Sequence, residues 1–331
     1  MKDVTYFFGA GASCEAMPLV NNFNEKFAIF LNFINDSKHL KHLIADCSAF
    51  ANKIKAHSTF DTFFKKLFHQ NQEEEINKYN TFLLVYFLFE LRFTYDELYH
   101  YDKYFIFQYK KNYKLDPRYE ALIAGLLKPI KGEIDFYKNV NFLTWNYDAN
   151  LLNALRNFIS PEKPLNEFIS GNFKDGYFNI NDQIKVFHLN GYITHPILNE
   201  IDSQKENKRN SFKELCKNYG KPELKPFIAN IKFAWEQKEI VFESMSKIIS
   251  SSNKMICIGY SFPLYNRIFD KQFFNKINMS WQNLYIQNLE TESMRKILTS
   301  DFNILTGSKS DPSITYSTSC NSFLIPIDIF S

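Results

Sequence analysis

The run Val4 to Phe8 is β-branched and aromatic and stops at Gly9-Ala10-Gly11-Ala12-Ser13. That is the pattern of a buried strand breaking into a glycine turn and then a helix. From about Glu25 to Lys131 the period changes. Phe23, Phe27, Phe30, Leu31 and Ile34 recur at helical spacing. Phe60, Phe63, Phe64, Leu67 and Phe68 follow a Ser58-Thr59 cap, and Thr81 to Phe93 is apolar nearly all round. Strand signals then return. Val140 to Thr144 runs into Trp145-Asn146-Tyr147-Asp148 and a helix over 149–158. Ile184 to Leu189 ends at Asn190-Gly191, Met255 to Ile258 at Gly259-Tyr260-Ser261, and Asn283 to Gln287 at Asn288. Helices are expected over 238–250 and 269–277, and a polar, Lys-rich loop or exposed helical excursion over 199–226. Strands alternating with helices, each strand closing on small or polar residues, predict an α/β fold. The expected form is a doubly wound, mostly parallel Rossmann-like sheet with ligands beyond the strands' carboxyl ends. The helical stretch predicts an insertion, so residues 1–24 and 132–331 are expected to form the sheet domain and 25–131 a helical subdomain.

Composition changes this picture in three places. Apolar residues make up 45% and charged residues 23%, which supplies a sizeable core and excludes global disorder. Lys plus Arg (39) against Asp plus Glu (36) leaves +3, so net charge gives no argument for nucleic acid or an anionic membrane. The five cysteines, Cys14, Cys47, Cys216, Cys257 and Cys320, are dispersed without a CxxC pair. That suits a reducing cytoplasm and excludes a four-cysteine zinc ribbon. The start of the chain runs straight into a strand pattern, leaving no room for a signal peptide. The longest apolar run, Phe82 to Phe89, is too short for a bilayer, which needs about 20 residues. A cytoplasmic protein without a membrane span is expected. Aromatic content is high, with 35 Phe and 19 Tyr. The aromatics are dense in the inserted helices, where they would build a hydrophobic lid or an assembly face.

Three clusters carry candidate chemistry. Glycines after a strand let a backbone approach a pyrophosphate at a helix N-terminus, although Cys14 stands where a GxGxxG pattern has its third glycine. Taken alone, the same turn reads as a plain tight turn, and its place at the start of an α/β chain favours the phosphate-binding alternative. In Thr144-Trp145-Asn146-Tyr147-Asp148 an amide and a carboxylate two apart can orient water and bind a polar substrate group, or one of them can cap the following helix. His188 and Asn190 share a strand face by period-two alternation. His188 is a candidate general base, because an unperturbed imidazole titrates near neutrality, or else a structural histidine. Lys103, Lys110, Lys111, Lys114 and Arg118, interleaved with Tyr104, Phe105, Tyr109 and Tyr113, read as a nucleic-acid contact or a solvated helix face. The plainer second reading is preferred, also for the Lys-rich 205–225 stretch.

Taken in order, GAGAS with Met17-Pro18, then TWNYD, HLNG, IGYSFP and a strand ending in Asn288 resemble sirtuins. They are most similar to the SIR2-like NAD-hydrolase domains of bacterial anti-phage defence systems. The resemblance spans residues 4 to 290 through short motifs. It implies a nicotinamide dinucleotide held at its phosphates by Gly9, Ala10, Gly11 and Ser13, with Gly259 and Ser261 near the diphosphate and ribose. Asn288 would lie near the adenosine half and Asp148 near the nicotinamide end, while Asn146 aligns with the asparagine beside the reacting ribose. The family usually has histidine immediately before the motif's glycine. Here that residue is Asn190, so His188 is expected to substitute as base with Asn190 in the binding site. The implied activity is NAD+ glycohydrolysis without a metal. The alternative is a catalytically impaired module that binds NAD or ADP-ribose to regulate a complex. Lacking paired cysteines, the chain is not expected to be a deacylase. Such proteins carry a sensor domain or rely on a partner, and the stretch after residue 290 is too short for a sensor. Gating by homo-oligomerisation or by a separate partner, such as a HerA-type ATPase or a short Argonaute, is therefore expected.

Overall fold

A computed structural model describes residues 3–14, 17, 23–35, 40–54, 57, 60–92, 116–128, 135–174, 176–181, 183–193, 205–228, 230–233, 236, 239–263, 266–276, 283–306 and 314–329. Pro18 and the basic–aromatic stretch 103–114 lie outside the described residues. The chain divides into two compact units, one of 1–13, 116–191 and 232–331, the other of 14–115 and 192–231. These bounds differ from the expected ones at both ends of the insertion. Helix Pro117–Leu126 packs on the sheet unit's helix Asn150–Ile159, and 192–231 contributes a helix to the helical unit.

The sheet unit holds β1 (Asp3–Phe8), β2 (Leu127–Lys128), β3 (Asp135–Phe136), β4 (Val140–Thr144), β5 (Phe173–Lys174), β6 (Tyr177–Asn181), β7 (Ile184–His188), β8 (Ser252–Ile258), β9 (Leu284–Gln287) and β10 (Ile314–Ser317). Eight of these form one sheet in the order β10-β9-β8-β1-β4-β7-β6-β5, while β2 and β3 make a separate antiparallel pair. Six strands are parallel, and β6 and β5 add antiparallel pairings at one edge. From β1 the chain steps outward through β4 to β7. It then returns to β8 on the other side of β1 and steps outward through β9 to β10. This is a doubly wound Rossmann-like α/β fold, with its topological switch point between β1 and β8.

Register makes the strand ends line up. Phe8 is opposite Thr144, which is opposite His188; on the other side Phe8 is opposite Ile258, Ile258 is opposite Gln287 and Gln287 is opposite Ser317. One row across the sheet therefore ends all six parallel strands, and the residue after each begins a loop on the same edge. The central strands read as continuous apolar runs because both faces are covered. On one face Phe7, Trp145, Leu143, Phe187, Met255 and Phe273 share a core. On the other, Tyr6, Phe8 and Phe142 stack, with Tyr119 and Phe323 against Phe8. The strands β5, β6 and β10 and the β2–β3 pair have no counterpart in the pattern of the sequence. They are short edge or near-edge strands, where half-exposed positions blur the alternation.

The helical unit is built on Phe23–Asn35, Lys41–Ile54, Phe60–His69, Glu73–Arg92 and Lys205–Lys217. Its longest helix opens on Glu73, Glu74 and Glu75, a sequence that suits the positive end of the helix dipole. From Tyr79 to Leu91 every residue of that helix is buried. Phe27, Phe50, Phe82, Tyr86 and Phe89 interlock with one another and with Phe23 and Phe30 at ring separations of 4.7–6.4 Å. These aromatics form the unit's own core, so the expected assembly face is not where they stand. Phe212 brings the Lys-rich helix onto Phe33 and Phe89, which settles that segment as a docked helix.

Candidate functional site at the strand ends

The first loop, after β1, is a single turn of 3-10 helix over Ala10–Ser13. Its two glycines are there because another backbone passes against them. A Cβ on Gly9 would meet the Gly259 carbonyl oxygen and Tyr260 Cα, both at 2.5 Å. A Cβ on Gly259, whose φ is +62°, would meet Ala12 N at 2.4 Å. The loops after β1 and β8 thus interlock at the switch point, and their amides are engaged. Gly9 N donates to Ile258 O at 2.9 Å, Gly11 N to Gly259 O at 3.0 Å and Ala12 N to Gly9 O at 3.0 Å. The plain-turn reading is realised in full for these three amides; exposed Ala10 is the turn residue left facing outward.

The loop after β4 supplies the second part. Trp145 extends the ladder by donating its N–H to Phe8 O at 3.0 Å, and its indole is buried against Tyr260 and Phe269. That anchors Asn146, which is buried, with its own N–H on Thr144 Oγ1 at 3.0 Å. Asn146 Nδ2 donates to Gly9 O and to Ser13 Oγ, each at 3.0 Å. A carbonyl oxygen only accepts, so this contact fixes which end of the amide is nitrogen. Asn146 Oδ1 then accepts no hydrogen bond among the described residues. Asp148 performs the capping role. Its Oδ1 accepts from Asn150 N at 2.9 Å and Asn150 Nδ2 at 2.6 Å at the start of helix Asn150–Ile159. Its Oδ2 is buried without a hydrogen bond in bonding geometry. Burial raises its pKa, while the nearby Ser13 hydroxyl and Asn150 pull in the other direction.

The loop after β7 closes the cluster. His188 Nδ1 lies 3.2 Å from Asn146 O, so Nδ1 carries the proton and Nε2 the lone pair. Burial lowers the imidazole pKa to about 4, against an opposing pull from the backbone of Asn146 and Gly191. At neutral pH this ring is uncharged and a weak base, unlike the near-neutral titration expected from its sequence position. Asn190 Nδ2 donates to Trp145 O at 2.9 Å. His188 and Asn190 together therefore clamp the two carbonyls that flank Asn146.

The strand-end loops bring Gly9, Gly11, Ser13, Asn146, Asp148, His188, Asn190 and Gly259 together. Ser261 and Ala10 are exposed and outside this hydrogen-bonded cluster. Asn288 is tied to the β8 loop, donating from Nδ2 to Tyr260 O at 3.3 Å and accepting Glu290 N at 3.1 Å. Two residues not singled out for this site belong to it. Tyr119 OH is 3.0 Å from Ser13 Oγ, and buried Arg118 donates from Nη2 to Ala12 O at 3.1 Å. Arg118 pairs with Asp116 at 2.5 Å, which corrects its reading as part of a solvated face or a nucleic-acid contact. The signal for that segment was present in Asp116-Pro117, an N-cap followed by proline at the first helical position. Among the described residues no group of three or more His, Cys, Asp or Glu side chains is placed to hold a metal ion, and no helix is long and apolar enough to cross a membrane. Compared with known proteins, the chain matches no family model and no curated sequence.

Proposed function

We propose that the protein is a SIR2-like NAD+ glycohydrolase, converting NAD+ and water to ADP-ribose, nicotinamide and a proton. The observation that carries this reading is the setting of Asn146. It stands beside the switch point of a doubly wound sheet, where such folds take dinucleotides. Its amide nitrogen is held by Gly9 O and Ser13 Oγ, which leaves Oδ1 without a hydrogen bond among the described residues. Nicotinamide departs from C1′ through an oxocarbenium-like state, whose positive charge a fixed carbonyl dipole stabilises without reorganising. The same Oδ1 can accept a hydrogen bond from the attacking water and hold it on the open face of the sugar. With the Gly9, Gly11 and Ala12 amides bonded within the protein, the turn would face the diphosphate side through its exposed Ala10, with Gly259, Ser261 and Asn288 on the adenosine side and Asp148 at the nicotinamide end. The proton released on attack passes to solvent or to His188 Nε2. In a cell this activity fits an NAD-depleting effector of anti-phage abortive infection, cytoplasmic and gated by self-assembly or a partner such as a HerA-type ATPase or short Argonaute.

A second reading is a binding module that holds NAD or ADP-ribose without turnover. Asn190 at the usual histidine position, with His188 depressed to about 4 and turned to the Asn146 carbonyl, is what favours it. Nicotinamide release from NAD+ separates the two, measured on the protein alone and with the product of its genomic neighbour. Asn146→Ala is expected to lower turnover about 100-fold or more. His188→Ala is expected to cost much less, because a base this weak is nearly replaceable by water. Bound NAD+ with no nicotinamide release under any condition would leave only the binding module.

A further inference from the structure

The segment Asp116–Tyr119 has no part in the chemistry above, yet it touches two of the loops that make the site, those after β1 and β4. Arg118 donates to Ala12 O in the glycine turn and, from Nη1, to Cys320 O at 3.1 Å. Its guanidinium also lies 4.9 Å over the Phe323 ring. The next residue, Tyr119, puts its hydroxyl 3.0 Å from Ser13 Oγ and 3.5 Å from Asn146 Nδ2. Asp116 N donates to Asn150 Oδ1 at 3.3 Å, and Asn150 in turn holds Asp148. Every one of these polar side chains is buried.

The chain's connectivity gives this arrangement its weight. Ser13 is the last residue of the sheet unit before the helical insertion, and Asp116 is the first after it. The second excursion leaves after Gly191 and returns at Lys232. Gly191 N donates to His188 O at 3.2 Å; Lys232 N donates to Asn190 O at 2.7 Å, and Lys232 O accepts from Tyr147 OH at 3.1 Å. Ser13 and Gly191 thus lie in loops of the candidate site, Lys232 is bonded to two of them, and Asp116 is bonded to the first residue of the helix that follows the β4 loop. Without further support, Ser13 would sit at the end of a turn from which a long insertion departs.

We propose that Tyr119 is a positioning residue: its hydroxyl sets the Ser13 side chain and, through it, the amide of Asn146, while Arg118 pins the turn from the other side. The kinetic part of this proposal rests on the NAD+ reading; the structural part does not. The test uses the full chain with Tyr119→Phe and Arg118→Lys, followed by amide hydrogen exchange of the 9–14 and 144–150 segments, NAD+ kinetics and thermal unfolding. Tyr119→Phe keeps the ring on Phe8 and Phe323 and removes one hydrogen bond, so the melting temperature is expected to move by only a few degrees. Exchange at 9–14 is expected to rise about 3- to 10-fold, the scale of one net hydrogen bond. kcat is expected to fall by a similar factor with KM little changed, because Asn146 acts at the reacting carbon. Wild-type exchange and wild-type kcat in Tyr119→Phe would overturn the proposal. If Tyr119→Phe fails to fold, Arg118→Lys carries the same readouts, and unchanged exchange at 9–14 overturns the proposal there too. If the wild type does not turn over NAD+, the hydrolase reading falls by itself, and exchange at 9–14 alone decides the role of Tyr119.

Discussion

The two units solve opposite problems with the same chain. The helical unit is held by aromatic faces: Phe50 and Phe82 meet at 4.7 Å and Phe30 and Phe89 at 5.1 Å. Its ion pairs Lys53–Glu75 and Lys78–Asp46 lie at the surface. The sheet unit buries its polar groups in the middle of the fold. Asn146, Asp148, Asn150, Asp116 and Ser13 are each under a tenth exposed and are bonded to one another or to backbone. Aromatic packing tolerates approximate fit and costs little in specificity. A buried polar network tolerates almost none, because each member left without its partner loses about 1–3 kcal/mol. A strand-end network of that kind is suited to holding a ligand, and an aromatic helical core is suited to carrying a surface.

The largest expected effect lies at the glycine interlock. Gly259→Ala forces a Cβ to 2.4 Å from Ala12 N and 2.5 Å from Gly11 C at a φ of +62°, with only backbone available to move. The strained backbone alone costs about 1–2 kcal/mol, and separating the two loops adds the loss of their shared hydrogen bonds. Loss of the folded sheet unit, read by chemical denaturation, is expected. Phe82→Ala in the helical unit removes a ring packed on Phe27, Phe30, Phe50 and Tyr86, and about 3–5 kcal/mol should be lost. Gly171→Ala sharpens the contrast, since nothing stands within 4 Å of its Cβ. In a helix it should be neutral or gain up to about 1 kcal/mol. Equal losses in Gly259→Ala and Gly171→Ala would remove the interlock as an explanation of these glycines.

That contrast also explains what the sequence discloses. Five of the six parallel strands and the glycine and polar residues after them were legible, because a buried strand is a compact apolar run and a turn needs particular residues at its end. The capping role of Asp148 was legible as one of two alternatives. Arg118 and Tyr119 were not, because a buried arginine and a surface arginine look alike until the Asp116 carboxylate and the Ala12 carbonyl are brought to it by the fold. The low pKa of His188 was hidden for the same reason: its near-neutral reference value holds only in water, and burial is decided by Phe178 and the neighbouring loops. Where the helical insertion ends was misplaced, since helix Pro117–Leu126 has the same apolar period whichever unit it packs on.

Both units hold a buried carboxyl with a raised pKa, and pH compares them on equal terms. Burial pushes Asp270 to about 8, although Tyr260 OH donates to both its oxygens and Arg267 lowers it; burial pushes Asp61 to about 7. The unfolded chain releases these protons near pH 4. Between that value and the folded pKa the native state binds the extra proton, so the stabilisation is full below about pH 4 and is lost as pH rises through 7 to 8. Asp270→Asn and Asp61→Asn should each flatten the decline of stability over that window, measured as urea midpoints from pH 5 to 9. The Asp61 variant should act at the lower end of the range. His188 has the opposite sign: its lowered pKa removes stability as pH falls from about 6.5 towards 4. A wild-type midpoint that is flat from pH 5 to 9 would show that neither carboxyl keeps its proton in the folded state.

The smallest effect is expected at the surface of the helical unit. Lys53 Nζ meets Glu75 Oε1 at 2.6 Å, with both side chains roughly two-fifths exposed. Two flexible side chains must be fixed to make this pair, and solvent screens it, so such pairs contribute about 0.2–1 kcal/mol. Lys53 also lies 5.4 Å over the Tyr79 ring, which shares the ammonium between an anion and an aromatic face. Glu75→Gln keeps that second contact and the length of the side chain. Its loss should therefore stay under about 0.5 kcal/mol at low salt and vanish near 1 M, where charges are screened within about 3 Å. A loss several times larger that persists at high salt would mean that the helical unit also depends on placed polar contacts, and the contrast between the units would narrow to one of composition.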